Sequence, residues 1–333
     1  MAVNCNSTKK SIDNKNIFLW VALIALLVVA PFFFRDSRRV MHILTMCLIW
    51  GMVAESWNLI LGYASVFSFG QLGFVAIGAY TSAMLSVHLG ISPWIGLIAA
   101  GVAAGIVGAL IGLPCLKLHG IYVGIVTFGI SLVMPTLIVW GGQPGYKNLT
   151  GGTFGLAGLK AYQLFGFNLG SVKIRWYYTG LVLLAIVLYA IYKIIHSYVG
   201  LAFVSLRDSQ TFAKSLGVND YKYKIIVFSI SACIAGIAGA FYAHYSRIID
   251  PSILELDIFL LILVMVVLGG LGKFGGGVIG AFIITYINEI LRPTGQYRYV
   301  ILGALVIIVL TYVPSGIRGA IDKLAVKIKA GRT

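Results

Sequence analysis

The amino-acid sequence predicts an all-α protein, a polytopic bundle of about ten transmembrane helices. Three observations lead to this fold class. Of the 333 residues, 59% are hydrophobic and only 11% are charged, whereas a soluble domain carries about 25% charged residues. The mean hydropathy is +0.96. The apolar residues are gathered in long runs, so most of the outer surface must face lipid.

A spanning helix needs about 20 apolar residues, and the sequence was divided on that basis. The runs lie at approximately 17–34, 40–61, 66–88, 94–113, 120–140, 177–196, 223–245, 257–271, 277–291 and 299–314. The first is interpreted as a retained span, because no small-x-small cleavage site follows it. The eighth and ninth are short and flank a glycine cluster, which is typical of a broken or re-entrant helix. Eight or nine spans are therefore alternatives.

The distribution of Lys and Arg predicts the orientation of the chain. With both termini inside, about 15 basic residues fall inside and about 10 outside. This predicts an inner tail at 1–16, a membrane domain at 17–315 and a basic inner tail at 316–333. An outer loop then covers 141–175 and an inner segment covers 197–223. Arg35, Arg38 and Arg39 run against this orientation.

The net charge of +15 does not indicate a nucleic-acid partner in this chain. The basic residues cluster at the ends of the apolar runs, which suits membrane topology and anionic headgroups. The four cysteines are far apart and lack the spacing of a metal site, so no metal is expected.

The inner segment 197–223, which we call the coupling segment, has an amphipathic pattern. Its apolar residues recur at three- and four-residue spacing, which predicts one or two short helices across the inner face. They are Leu201, Val204, Leu206, Phe212, Ala213 and Leu216. Gly217 stands where a left-handed residue would end such a helix. The pattern fits either an ordinary interfacial helix or a docking helix for a soluble partner.

Several short motifs follow one another along nearly the whole chain. The coupling segment contains Leu206-Arg207-Asp208, Ala213-Lys-Ser215-Leu216-Gly217-Val218-Asn219 and Tyr223-Lys224. Elsewhere stand Asn58-Leu-Ile-Leu-Gly62-Tyr63-Ala64, Ser68-Phe-Gly70-Gln71, Gly78-Ala79-Tyr80, His119-Gly120-Ile121-Tyr122, Leu149-Thr150-Gly151-Gly152 and Val266-Val267-Leu268-Gly269-Gly270-Leu271-Gly272. Together they resemble the branched-chain amino acid permeases of ATP-binding cassette (ABC) importers, LivM type. One departure is Gln71, where relatives often carry His, and it leaves the solute open.

The resemblance implies a multi-pass subunit of a heteromeric importer in the bacterial cytoplasmic membrane. A second homologous permease would form the translocation path together with this chain, two ABC ATPases would dock on the coupling segment, and an extracytoplasmic binding protein would deliver the solute. ATP and Mg would be bound by the ATPases. The residues expected to couple to them are Arg207, Asp208, Phe212, Ala213, Ser215, Leu216, Gly217 and Val218.

The sequence supports one part of this expectation independently. It contains no G-x-x-x-x-G-K-[ST] phosphate loop. The run Gly270-Leu-Gly272-Lys-Phe-Gly275 fits G-x-G-x-x-G, but it joins two apolar spans without a β-α-β unit. We interpret it as a tight turn with close helix packing. No convincing catalytic set is present, so the chain is not expected to be an enzyme.

Polar residues at membrane depth are candidates for the translocation path. They are Asn58, Ser68, Gln71 and Thr127. The alternative for each is an interhelical hydrogen bond. Glu55 lies one helical turn from Asn58, and near the cytoplasmic edge it could pair with a lysine.

Two sets of glycines recur at three- and four-residue spacing, which favours close helix packing. They are Gly101, Gly105, Gly108 and Gly112 in one span, and Gly276 and Gly280 in a later one.

Other functions remain open at this stage. The same machine could carry urea or amides, aromatic acids, nucleosides or sugars. An ion-coupled secondary transporter is the alternative from another class, although such proteins tend to carry charged relays at mid-membrane and this chain has few.

Overall fold

The computed structural model describes Pro31 and residues 37–115, 118, 120–143, 145, 149–164, 167–168, 173–295, 297–312 and 316–319. The α-helices in this part of the chain are α1 (Arg38–Asn58), α2 (Gln71–His88), α3 (Pro93–Cys115), α4 (Ile121–Gly141), α5 (Lys173–Ile195), α6 (Tyr198–Asp208), α7 (Gln210–Ser215), α8 (Asp220–Ser246), α9 (Leu256–Gly269), α10 (Gly276–Ile290) and α11 (Tyr297–Tyr312). A π-helical turn, Leu59–Tyr63, continues α1 directly.

Side-chain caps mark where the two innermost helices begin. Ser37 accepts a hydrogen bond from the backbone N–H of Val40 at the start of α1 (3.5 Å). Asn219 accepts one from the N–H of Lys222 at the start of α8 (3.1 Å). These caps satisfy backbone donors that have no partner inside the helix.

The centre of the bundle is formed by α1 and α8. Helix α8 packs against α1, α2 and α3, while α1 also packs against α5 and α10. Of the most apolar stretch of the helix Arg38–Tyr63, 83% is buried within the protein, against 28% for α4 and for α5. The inner pair therefore meets mainly protein, whereas α4 and α5 present apolar surface outward.

Within the described residues, five helices are long and apolar enough to cross a membrane: α1 with its π-helical turn, α3, α4, α5 and α8. Helices α9 and α10 are apolar but shorter, with 14 and 15 residues. The predicted first span at 17–34 and the tail at 1–16 lie outside the described residues except for Pro31, as do residues 320–333 of the predicted inner tail. The helical membrane bundle is confirmed, while ten spans with both termini inside stay a prediction.

The structure corrects the third predicted span, which was placed at 66–88. Its helix begins only at Gln71, because residues 65–70 form a non-helical segment after the π-helical turn. Ser65 adopts a positive φ of 51°, which stops helical propagation.

The loop between α4 and α5 adds short strands to the all-α bundle. Strand β1 (Leu156–Ala157) pairs antiparallel with β4 (Ile248–Ile249), which follows α8. Strands β2 (Gln163–Leu164) and β3 (Phe167–Asn168) pair with each other. The backbone groups of a loop need hydrogen-bond partners, and these short ladders supply some of them.

Glycines allow the central helices to approach each other closely. The four glycines of α3 lie on the face that packs against α8, where a Cβ at Gly105 would lie 3.4 Å from Cβ of Cys233. Ser229 of α8 also donates a hydrogen bond to the carbonyl of Gly105 (3.0 Å). Gly276 and Gly280 of α10 face the end of α9 in the same way. Small residues at these positions let helix backbones touch.

We expect Gly78→Ala to destabilise the bundle, because a Cβ there would collide with the backbone of Gly236 in α8. The cost should be about 1–3 kcal/mol, as for other overpacked contacts. Thermal unfolding of the purified chain in detergent would measure it. Gly129→Ala in α4 is the matched control, since nothing lies within 4 Å of its Cβ position. Equal midpoints for the two variants would contradict the close α2–α8 contact.

Candidate functional site

The C-terminal end of α1 carries a carboxylate that holds a turn between two other helices. Glu55 has 0% exposed surface. Its Oε1 accepts a hydrogen bond from the N–H of Gly275 (3.0 Å), and its Oε2 accepts one from the N–H of Gly277 (2.9 Å). These are orphan donors at the N-terminus of α10, where the helix dipole favours a negative charge. A side chain of α1 therefore caps α10.

Asn58 lies one helical turn further along the same face and binds the same turn. Its Oδ1 accepts from the N–H of Gly272 (2.8 Å), while its Nδ2 donates to the carbonyl of Lys273 (2.9 Å). Nδ2 is also 3.4 Å from Oε1 of Glu55. All three contacts agree with one amide orientation, so Asn58 ties the turn to the carboxylate as well as to α1.

Residues 270–275, which we call the glycine turn, need glycine for their backbone conformation. Gly270, Gly272 and Gly275 have φ values of 111°, 68° and 73°, in the region that other residues rarely adopt. Gly62 of the π-helical turn packs so closely that a Cβ on it would collide with the N–H of Gly272. The motif that fits G-x-G-x-x-G is thus a tight turn with close packing.

The expectation that Glu55 could pair with a lysine is wrong for the described residues. There it forms no ion pair with Lys or Arg, and its partners are two backbone N–H groups and Asn58. Sequence reasoning could not find this arrangement, because the N–H donors lie more than 200 positions away.

A second buried polar cluster links α1, α2 and α8. Gln71 donates from Nε2 to Oγ of Ser56 (2.6 Å). The hydroxyl of Ser231 lies 2.7 Å from the carbonyl of Ser56 and 3.3 Å from Oε1 of Gln71. None of the three side chains has exposed surface (0%). Two residues of the cluster, Ser56 and Ser231, were not among the candidates predicted for the path.

Of the remaining predicted path residues, Ser68 lies in the non-helical segment 65–70 and Thr127 binds that segment. Trp57 donates from its indole N–H to the carbonyl of Ser68 (2.8 Å). The N–H of Phe69 donates to Oγ1 of Thr127 (2.9 Å). Non-helical backbone at membrane depth is tolerated only where it is buried in protein or lines water. Both candidates are fully buried (0%). The side chains of Trp57 and Thr127 therefore supply hydrogen bonds that a helix would otherwise make within its own backbone.

The structure also brings together a serine and a histidine that are far apart in sequence. The hydroxyl of Ser82 lies 2.8 Å from Nε2 of His244, whose Nδ1 lies 2.8 Å from the carbonyl of Lys160. Nδ1 must carry the proton to donate to a carbonyl, so Nε2 accepts from the hydroxyl. Both side chains have 0% exposed surface. The pair fastens the outer loop to α2 and α8 and is closed to any substrate.

The coupling segment forms two short helices, α6 and α7. Ser209 caps α7 by accepting a hydrogen bond from the N–H of Phe212 (3.3 Å). At the other end Gly217 has a φ of 83°, and the N–H of Val218 donates to the carbonyl of Ala213 (3.0 Å). The prediction of one or two helices ended by a left-handed glycine is confirmed.

The apolar residues of the coupling segment do not share one face, which corrects the predicted stripe. Ala213 is 1% exposed and packs inward, whereas Phe212 and Leu216 are 66% and 68% exposed. Phe212 and Leu216 are four residues apart on α7, so they form one outward apolar surface. Leu201 of α6 is also exposed.

A buried carboxylate fastens α7 to the first turn of α8. Asp220 has a side chain that is 4% exposed, and its Oδ2 lies 3.0 Å from Nζ of Lys214 and 3.7 Å from Nζ of Lys224. Gln210 donates to the same oxygen (2.7 Å). The sequence prediction missed Asp220, although an acidic residue after the cap Asn219, with a lysine four positions later, is a recognisable signal.

Arg207, at the end of α6, lies against the glycine turn. Its Nε is 3.1 Å from Oδ1 of the neighbouring Asp208. A Cβ on Gly272 would lie 3.2 Å from Nη1 of Arg207. Asp208 is 65% exposed and Arg207 is 35% exposed. The two residues predicted to contact a partner therefore pair with each other, and one of them also reaches the turn held by Glu55 and Asn58.

Comparison with known proteins identifies related sequences over nearly the whole chain. A family model described as "Branched-chain amino acid transport system / permease component" matches residues 39–310. The chain is 29% identical to the high-affinity branched-chain amino acid transport system permease protein LivM of Salmonella typhimurium, over 97% of this chain and 80% of the relative. It is also 29% identical to LivM of Escherichia coli K12, over 92% and 76% of the two chains.

A second group of relatives is named differently. The probable branched-chain amino acid transport permease protein LivH of Methanocaldococcus jannaschii is 26% identical, over 76% of this chain and 82% of the relative. No solved structure matches the chain.

We expect Asp220→Asn to loosen α7, because it removes the charge that binds two lysines in a buried position. Losing charge-assisted hydrogen bonds here should cost about 1–2 kcal/mol. Hydrogen exchange of amides 210–219 should then accelerate roughly 5- to 30-fold. Asp208→Asn is the control, since an exposed ion pair contributes about 0–1 kcal/mol. Unchanged exchange in the Asp220 variant would show that this carboxylate does not hold α7.

Proposed function

Because this chain belongs to the family of branched-chain amino acid transport system permease components, we propose that it is the transmembrane permease subunit of an ABC importer for branched-chain amino acids. The single observation that carries the proposal is the family match, which covers residues 39–310 and so includes every element of the site. The chain is a multi-pass membrane protein, and we place it in the bacterial cytoplasmic membrane.

We propose a heteromeric assembly. The similarity to proteins named LivM and, separately, to proteins named LivH supports pairing with a second, homologous permease. Two ABC ATPases would bind ATP and Mg, because this sequence has no phosphate loop. An extracytoplasmic binding protein would deliver the solute.

The coupling segment is the proposed docking site for an ATPase. Phe212 and Leu216 present a compact apolar surface, and such exposed patches mark interaction sites. Ser215, Gly217 and Val218 shape the end of α7 beneath this surface. Asp220 joins α7 to α8, so a force applied to the segment would reach a helix at the centre of the bundle.

Asn58, Ser68, Gln71 and Thr127 are the proposed polar positions of the translocation path. In the described conformation all four are fully buried and hydrogen-bonded within the chain. A zwitterionic solute could pass only if Gln71 and its partners Ser56 and Ser231 exchanged hydrogen bonds, because an unsatisfied polar group in an apolar environment is costly. This conformation is therefore closed at their level.

Reconstituted uptake tests the proposal. Proteoliposomes would contain this chain, the second permease and the ATPases, with the binding protein outside and ATP inside. We expect ATP-dependent uptake of labelled leucine, isoleucine and valine, with no effect of a protonophore. Uptake that persists without ATP and stops with the protonophore would favour an ion-coupled transporter. ATP-driven uptake of urea, aromatic acids, nucleosides or sugars instead would support an ABC importer with a different solute.

We expect Phe212→Ala and Leu216→Ala each to weaken ATPase binding roughly tenfold, which corresponds to about 1–2 kcal/mol for a central apolar contact. The measurement is titration of the purified ATPase onto the permease pair in nanodiscs. Leu110→Ala is the control, because Leu110 is 57% exposed but lies on the membrane-spanning helix α3. ATPase affinity that is the same in all three variants would exclude this surface as the docking site.

A further inference from the structure

The glycine turn is a junction between three parts of the molecule. It is bound to α1 by Glu55 and Asn58, and it contacts α6 through Arg207. Gly316, in the helical residues 316–319, packs against Gly270 so closely that a Cβ would collide with its backbone. The contact with Gly316 is made between glycines, so the backbones lie too close there for the glycine turn to move independently of its neighbours.

The bond between Glu55 and the turn resists separation of α1 from α10. Each carboxylate oxygen accepts one backbone N–H, from Gly275 and from Gly277. If α10 moved away, a fully buried carboxylate and two N–H groups would lose their partners together, which is strongly unfavourable. Helices α1 and α10 are therefore expected to move as one unit.

The position of α6 makes this unit accessible to an external force. Helix α6 packs against the π-helical turn Leu59–Tyr63, and its Arg207 lies against Gly272. Ser56, which follows Glu55 directly, hydrogen-bonds to Gln71. Ser56 belongs to the cluster that closes the proposed path, and it is the residue next to the Glu55 carboxylate. Single π-helical turns of this kind frequently occur at functional sites.

We propose that Glu55 is a positioning residue of transport, which clamps the glycine turn to α1 so that movement of α6 opens the Ser56–Gln71–Ser231 cluster. This rests on the function proposed above. Force on the coupling segment passes from Arg207 to the glycine turn, and from the turn through Glu55 and Asn58 into α1. A neutral amide cannot replace Glu55, because Gln offers one acceptor oxygen and turns an N–H toward the second backbone donor.

The test measures the movement of α6 and α1 separately in the complete importer in nanodiscs. Spin labels at Leu201 in α6, Arg39 in α1 and the reference Leu110 in α3 all occupy exposed positions. The native cysteines are replaced by alanine, and the labelled complex must retain uptake. A non-hydrolysable ATP analogue should change both the 201–110 and the 39–110 distances in the otherwise unmodified chain.

In Glu55→Gln we expect the 201–110 distance still to respond while the 39–110 distance does not. The amount of solute transported per ATP hydrolysed should fall roughly tenfold, within the usual range of coupling between sites. Arg207→Ala provides a second variant, because it removes the contact from the side of α6 at a partly exposed position. It should give the same separation of the two distances.

Lys273→Ala is the matched control within the turn. Asn58 uses only the backbone carbonyl of Lys273, and its side chain is exposed. This variant should behave like the unmodified chain. If both distances respond normally in Glu55→Gln and Arg207→Ala, the proposed role of Glu55 is contradicted. The assignment of the chain to an ABC importer is unaffected by that result. If the ATP analogue moves neither distance and uptake needs no ATP, the importer assignment and the clamp fall together.

Discussion

Every backbone N–H and C=O inside a membrane must find a partner within the protein, because lipid offers none. Helices meet this requirement by themselves, but two described segments near the end of α1 do not: the non-helical segment 65–70 and the glycine turn. Side chains supply the missing partners there. Trp57 and Thr127 bind the first segment, and Glu55 and Asn58 bind the second. These four side chains thus bind backbone where the described helices are interrupted.

This requirement explains why stability and function fall on the same residues. A polar side chain buried in a membrane helix is costly unless it is paired, and Glu55, Asn58 and Thr127 are each paired with backbone outside the regular helices. The same pairing restricts how the helices move, because separating them would strand several groups at once. In the proposed movement α1, the glycine turn and α10 stay together, and α1 separates from α2 and α8 at the Ser56–Gln71–Ser231 cluster.

The coupling segment combines a rigid attachment with an exposed apolar surface. Asp220 holds α7 to the first turn of α8 through two lysines and Gln210. Phe212 and Leu216 point away from this attachment and remain exposed. The ion pairs cost little to form at the membrane surface, where water still reaches Lys214, which is 44% exposed. A partner that binds the apolar surface would thus act on a segment already joined to the central helix.

The sequence by itself determined the membrane class, the approximate positions of the described spans and the short helices ended by Gly217. These follow from composition, run length and local backbone preference, which need no distant contacts. Only the tertiary structure decided which groups Glu55, Asn58, Gln71 and Thr127 bind, and that the third helix begins at Gln71 rather than at Val66. Their partners on other elements lie 15 to 222 positions away. Such pairing depends on how the helices pack, and a local pattern carries no information about it.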